Sequence, residues 1–299
     1  MKEVFFGTGV ALITPFTTEL NPDLDAFERL VEHVIKGGVE YLVVNGTTAE
    51  SATLSGDEKQ DLLHFVREVN RGRLPLVAGI GGNNTVAVAE QLQQADLKGY
   101  QAILSVSPYY SRPTQEGIFR HFQKLSESSP LPLILYNVPG RTGSNMLPGT
   151  VIRLALQCDN IMGIKEASGD MDQVKTLLRE APEDFLVISG DDITAVPTVL
   201  EGGAGVISVL GQGIPEMFSD MIRLARKGRE VEALDIHHRM EPLVELIFRE
   251  GNPAGIKALL HHLGICLPQV RLPLVSASQA LTEAIGNYLD GQLRAPDFR

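Results

Sequence analysis

The feature that most constrains this chain is an alternation, repeated eight times, of a short apolar run with a stretch of helical periodicity. Between 23 and 38, Phe27, Leu30, Val31, Val34 and Ile35 recur at helical spacing, and the stretch stops at Gly37-Gly38. That pattern predicts an amphipathic helix with defined ends. Tyr41-Leu42-Val43-Val44 follows at once. An apolar run without polar alternation is what a parallel strand covered on both faces requires. A second helix is expected from Ser55, where Ser55-x-x-Glu58 forms a capping box and Leu62, Phe65, Val66 and Val69 turn inward. Further strands are predicted at 74–80, 101–106, 131–137, 161–165, 185–189 and 205–209, with the first around 10–14. Eight βα units ending near Gly228 match an α/β fold of the (β/α)8 barrel type. A doubly wound open sheet is the alternative, because periodicity does not separate closed from open sheets. Residues 229–299 contain no convincing strand and are expected to form a C-terminal helical region appended to a catalytic barrel spanning 1–228.

Charge narrows the function classes. Lys and Arg total 26 against 37 Asp and Glu, a net charge of -11, the reverse of the basic footprint that nucleic-acid binding needs. An anionic ligand must then be held by a few local groups. Cys158 and Cys266 have neither disulfide-framework nor zinc spacing and are expected as reduced thiols. The apolar start at 4–16 is broken by Pro15 and lacks a charged leader and cleavage site, so it reads as a first strand. No run approaches membrane-spanning length. A cytoplasmic protein with no membrane or nucleic-acid partner is expected. His237-His238 and His261-His262 lack metal-ligand spacing and are expected to be solvated or capping, and Gly79-Ile80-Gly81-Gly82 lacks the dinucleotide fingerprint. Neither a metal nor a cofactor is expected.

Active sites of parallel barrels lie at the C-terminal strand ends, so the polar residues that close each apolar run are the candidates. The sixth run reads Ile161-Met162-Gly163-Ile164-Lys165-Glu166, and alternation places Lys165 on one face with Ile161 and Gly163. If that face points inward, the amine is poorly solvated and its neutral form can attack a carbonyl to give an imine, with Gly163 leaving room for substrate. A lysine that snorkels to the rim or pairs with Glu166 fits the same strand. The fifth run ends Tyr136-Asn137-Val138-Pro139-Gly140-Arg141-Thr142, bringing a phenol able to shuttle protons, or simply to pack, to the same rim. The second ends Gly46-Thr47-Thr48-Ala49-Glu50, a turn whose amides and hydroxyls suit a carboxylate or a helix cap.

These segments, with Ser107-Pro108-Tyr109-Tyr110 and Gly163-Ile-Lys165-Glu-Ala, resemble the pyruvate-dependent aldolases and lyases over nearly the whole chain. Within them, Arg141-Thr142 and the paired tyrosines are similar to the dihydrodipicolinate synthase family rather than to N-acetylneuraminate lyases or sugar-acid aldolases. The resemblance implies that Lys165 forms an imine with pyruvate, and that Tyr136, Thr47 and Tyr110 relay protons, Tyr110 reaching a neighbouring subunit's site. It implies that Thr48 holds the pyruvate carboxylate, that Arg141 receives the carboxylate of L-aspartate 4-semialdehyde, and that Gly190 and Ile207 line the pocket. It further implies a homotetramer arranged as a dimer of dimers. Ala49 and Ser111 depart from the commonest pattern, glycine and asparagine, which puts the geometry of the turn at 46–50 in question. The family's feedback site for lysine would include Ser51, Ala52, Asn83 and Tyr109, but Gly56, Lys59 and Ala87 replace the two histidines and the carboxylate of sensitive members. Weak or absent inhibition by lysine is therefore expected. A sugar-acid aldolase, or a barrel that binds an oxo acid without catalysis, are the competing readings.

Overall fold

The computed structural model describes residues 2–293. Its strands are β1 Gly7–Ala11, β2 Tyr41–Val44, β3 Leu76–Gly79, β4 Ala102–Val106, β5 Leu133–Asn137, β6 Ile161–Glu166, β7 Leu186–Ser189 and β8 Gly205–Ser208. Each pairs in parallel with the next, and β8 returns to β1, giving a closed barrel. Closure removes the open-sheet alternative. At the seam Gly7 pairs with Gly205. A β-carbon on Gly205, whose φ is +155, would fall 1.9 Å from the Gly7 carbonyl oxygen, so the barrel closes here only because β8 carries no side chain at 205.

The helices are α1 Leu24–Lys36, α2 Gly56–Asn70, α3 Thr85–Gln94, α4 Gln115–Ser128, α5 Pro139–Thr142, α6 Pro148–Gln157, α7 Met171–Glu180, α8 Ala195–Leu200, α9 Pro215–Arg226, α10 Glu230–Phe248, α11 Ala254–His262 and α12 Gln279–Tyr288. The Asp23 side chain caps α1, and the Ser55/Glu58 box caps α2 in both directions. Two apolar layers result. Inside the barrel, Tyr41, Val77, Leu104, Ile134 and Ile188 interdigitate. Outside, Val44, Ile103, Leu135, Ile164 and Val187 meet the helices. Strands buried on both faces explain why their sequences are unbroken apolar runs.

The first strand lies three residues earlier than its expected start. Beyond Ala11 the apolar residues Leu12 and Ile13 remain fully buried, but the Ile13 amide donates to the Gln212 side chain instead of to a ladder. The Leu12 amide still donates to the Val43 carbonyl of β2, so pairing stops at Ile13 while burial continues. The region after 228 has no strand among its described residues and holds three α-helices joined by irregular segments, the longest at 263–278, and 294–299 lie outside the described residues. Its helix α10 packs on α9 and α8, and α11 and α12 join the same outer apolar layer. Among the described residues no helix is long and apolar enough to cross a membrane.

Candidate active site

Tyr136 on β5 and Lys165 on β6 are register partners, and Lys165 stands opposite Ile188 on β7. The Lys165 Nζ lies 4.5 Å from the centroid of the Tyr136 ring. Lys165 is only 4 % exposed, and among the described residues no carboxylate is within ion-pair distance of it. Glu166, the partner offered by the alternative reading, points the other way. Its carboxylate accepts hydrogen bonds from Asn137 Nδ2 (3.0 Å), Gln173 Nε2 (2.8 Å) and the Ser168 amide (2.7 Å). Burial raises the Glu166 pKa, and these donors offset part of that rise. Asn137 and Glu166 are themselves register partners, so a polar clamp on the outer face holds the two strands in line just beyond Tyr136 and Lys165.

Two details of β6 differ from strict alternation. The pairing with β5 slips between Leu133 and Ile134, whose partners are Ile161 and Gly163. Met162 is the extra residue, and Ile161 faces the outer layer while Met162 faces the barrel interior. Nor does Gly163 leave room for substrate, because a β-carbon there would fall 2.6 Å from Leu186 Cβ. The space belongs to Leu186. Gly190 is the glycine that serves the lysine, since a β-carbon on it would meet Lys165 Cγ and Cε at 2.9 Å each.

The turn after β2 is a short 3-10 segment, Thr47–Ala49, in which Glu50 takes the left-handed conformation at φ +57. Ala49 has no positive φ, so alanine is tolerated where glycine is usual. Thr47 and Tyr136 line one cavity of about 380 Å³ together with Gly79 and Val106. Ser51, Gly56 and Lys59 line the same cavity, and burial lowers the Lys59 pKa. Thr48 is buried, and its hydroxyl accepts from Asn252 Nδ2 at 2.9 Å. Ile207 is fully buried in the interior layer.

Arg141 sits on α5, exposed, and its guanidinium has no protein partner among the described residues. Tyr110 does not join the others within this chain. It stands 90 % exposed at φ +73 in the segment after β4, and Asn83 Nδ2 donates to the neighbouring Tyr109 carbonyl at 3.2 Å.

Several residues around this rim were not singled out from the sequence. Lys257 is fully buried and donates to Glu50 Oε1 at 2.6 Å and to the Gln269 carbonyl at 2.7 Å. Burial pulls its pKa below the usual lysine range, and the Glu50 charge opposes that. The second Glu50 oxygen accepts from the Arg271 amide. Asp192, buried beneath β7 and β8, accepts from Ser208 Oγ at 2.6 Å and the Leu210 amide at 2.9 Å; burial pushes its carboxyl up to about 6. Gln212 ties Ile13 and Ala11 to the end of β8. One signal was readable, a lone lysine within the apolar stretch Ala254–Leu260, since a charge on such a helix demands a buried partner. The histidine expectation also needs correction at His237, which is buried as part of the α10 packing face.

Comparisons with known proteins identify the family. The family model described as "Dihydrodipicolinate synthetase family" matches residues 4–291. A 4-hydroxy-tetrahydrodipicolinate synthase of Flavobacterium psychrophilum is 53% identical over 283 residues, covering 95% of this chain and 97% of that protein. The crystal structure of dihydrodipicolinate synthase from Thermotoga maritima superposes with a TM-score of 0.94 at 38% identity, over 97% of this chain and 99% of the other. The chloride-inhibited enzyme from Acinetobacter baumannii, solved with pyruvate, superposes at 0.93 with 37% identity, over 96% and 98%. A lysine and a tyrosine facing each other inside the rim of a parallel barrel, beside a Thr-Thr turn, are thus set in a chain that belongs to the dihydrodipicolinate synthetase family.

Proposed function

We propose that this chain condenses pyruvate with L-aspartate 4-semialdehyde to give 4-hydroxytetrahydrodipicolinate, a lyase reaction of lysine and diaminopimelate biosynthesis, through an imine on Lys165. The observation that carries the reading is a buried amine without a counter-ion, 4.5 Å from the Tyr136 ring centroid. Such an amine is a nucleophile for the pyruvate carbonyl. Its attack on C2 forms the C–N bond, and the carbonyl oxygen leaves as water. Loss of a C3 proton then gives an enamine, and its C3 bonds to the aldehyde carbon of the second substrate. The amino group of that substrate displaces Lys165 from C2, closing the ring and freeing the enzyme. Each of these steps moves a proton, which is the work assigned to Tyr136 and Thr47. Thr48 serves the pyruvate carboxylate, while Gly190 and Ile207 shape the pocket. Arg141, exposed and unpaired among the described residues, receives the carboxylate of the semialdehyde and favours this substrate over a sugar acid.

Tyr110 completes the relay from a second copy of the chain in a homotetramer built as a dimer of dimers, working in the cytoplasm. Its 90 % exposure supports that role, because a phenol on this exposed segment meets a site only across an interface. Borohydride added with pyruvate is expected to fix one pyruvate-derived adduct on Lys165, located by mass spectrometry of peptides. An adduct on another lysine, or none in protein that turns over both substrates, refutes the proposed chemistry.

A further inference from the structure

We propose that Asn252 is a positioning residue, which aims the proton of the Thr48 hydroxyl at the carboxylate of the bound keto acid. This rests on the reading that Thr48 holds that carboxylate. Asn252 lies between α10 and α11, 7 % exposed, in the helical region that follows the barrel. Its Nδ2 donates to Thr48 Oγ1 at 2.9 Å. Thr48 is 3 % exposed and makes no other side-chain hydrogen bond among the described residues. A hydroxyl has one proton and two lone pairs. With a lone pair taken by an amide N–H, its proton is released to point at an acceptor.

The orientation of the amide supports this direction. Asn252 Oδ1 is buried without a partner among the described residues. Turning the amide over would instead leave an NH₂ group bare, and orphaned donors are rarer in folded proteins than under-used oxygens. A second tie fixes the same two segments. Lys257, five residues beyond Asn252, pairs with Glu50, two residues beyond Thr48, at 2.6 Å with both side chains buried. Two fastenings between the turn and the helical region leave the Thr48 hydroxyl little freedom to rotate away. A side chain of the C-terminal region therefore controls a hydrogen bond in the turn after β2.

The test uses the full chain and the concentration of ketone that half-saturates borohydride trapping. Asn252→Asp is nearly isosteric but can only accept, so it draws the Thr48 proton to itself. Trapping of pyruvate is expected to need roughly ten- to a hundredfold more ketone, the worth of a hydrogen bond to a charged group. Asn252→Leu removes the director without reversing it, and a loss of roughly three- to tenfold is expected. Neither variant should change the half-saturation for acetone, which is pyruvate with a methyl group in place of the carboxylate. A purely structural role moves pyruvate and acetone alike and follows the melting temperature. Equal losses for both ketones, or none for pyruvate, overturn the proposal. If Asn252→Asp fails to fold, Asn252→Leu decides by the same comparison. Thr48→Val separates the underlying reading: if pyruvate trapping is unchanged in it, Thr48 does not hold the carboxylate. If only the Asn252 variants leave trapping unchanged, Thr48 keeps its role and Asn252 loses its own.

Discussion

Substituting Gly190→Ala tests whether the position of Lys165 is set by the strand that faces it. The added β-carbon would lie 2.9 Å from both Cγ and Cε of Lys165 and 2.6 Å from Ala167 Cβ, where ordinary contacts begin at 3.4 Å. Ala167 Cβ moves only with its backbone and the lysine by its rotamers, so both must yield, the lysine by at least about half an ångström. Gly190 has no positive φ, so the backbone itself accepts alanine and the effect is steric. Overpacking of this kind costs about 1–3 kcal/mol, a drop of a few degrees in melting temperature for a chain of this length. The catalytic loss should be larger in proportion. A misplacement of about 1 Å costs roughly 10²-fold, so half that shift predicts kcat/KM for pyruvate lower by roughly tenfold or more. The rate of borohydride trapping should fall in step, because imine formation is the step affected. Steady-state kinetics, trapping and thermal unfolding of the same preparation decide the matter. A folded variant with unchanged trapping would refute the claim that Gly190 is the space in which Lys165 extends.

Tyr136→Phe keeps the ring beside Lys165 but removes the proton carrier, and kcat should fall roughly 10²-fold with pyruvate affinity retained; turnover at the wild-type rate removes Tyr136 from the relay. Lysine should inhibit weakly or not at all, because Ala87 supplies no carboxylate for its ammonium and Lys59 adds a like charge, a loss of ~1.5–3 kcal/mol or at least roughly tenfold in affinity. Strong inhibition by sub-millimolar lysine in the condensation assay would contradict this. Burial of His121 against Phe122 pushes its pKa down from 6.5 to about 4, so between these values the unfolded chain binds a proton that the folded chain refuses. Stability from this group is complete above 6.5 and is lost as pH falls to about 4, by about 3 kcal/mol at most. Asp192, raised from 3.8 to about 6, acts in the opposite sense as pH rises through that window. Urea unfolding should therefore be compared between wild type and His121→Gln, which should lack the acid-side loss; identical pH slopes would contradict the assignment.

The barrel was legible because each strand is buried on both faces and each helix on one, two patterns that leave distinct periodicities. The rim residues Thr47, Thr48, Tyr136 and Lys165 were legible for a related reason: polar side chains that end apolar runs have few places to be. What escaped was set by tertiary pairing. Met162 carries the irregularity of β6, yet nothing local distinguishes it from an ordinary strand residue, and so Ile161 was placed on the wrong face. Gly163 and Gly190 look alike in sequence, but one makes room for Leu186 and the other for Lys165, a distinction made by the neighbouring strand or loop. Asn252 was not singled out as a site residue, because its partner Thr48 is 204 residues away.

The Lys257–Glu50 pair spans 207 residues, which bears on how the protein is made. Chains emerge from the ribosome in order, and N-terminal parts begin to fold first. Glu50 and the strand before it are synthesised long before α11, and a lone carboxylate at that depth is costly to desolvate. Glu50 must therefore stay in water, and the Thr47–Ala49 segment before it must stay unsettled, until Lys257 arrives. The reactive rim of the nascent chain is completed only after α11 has been synthesised.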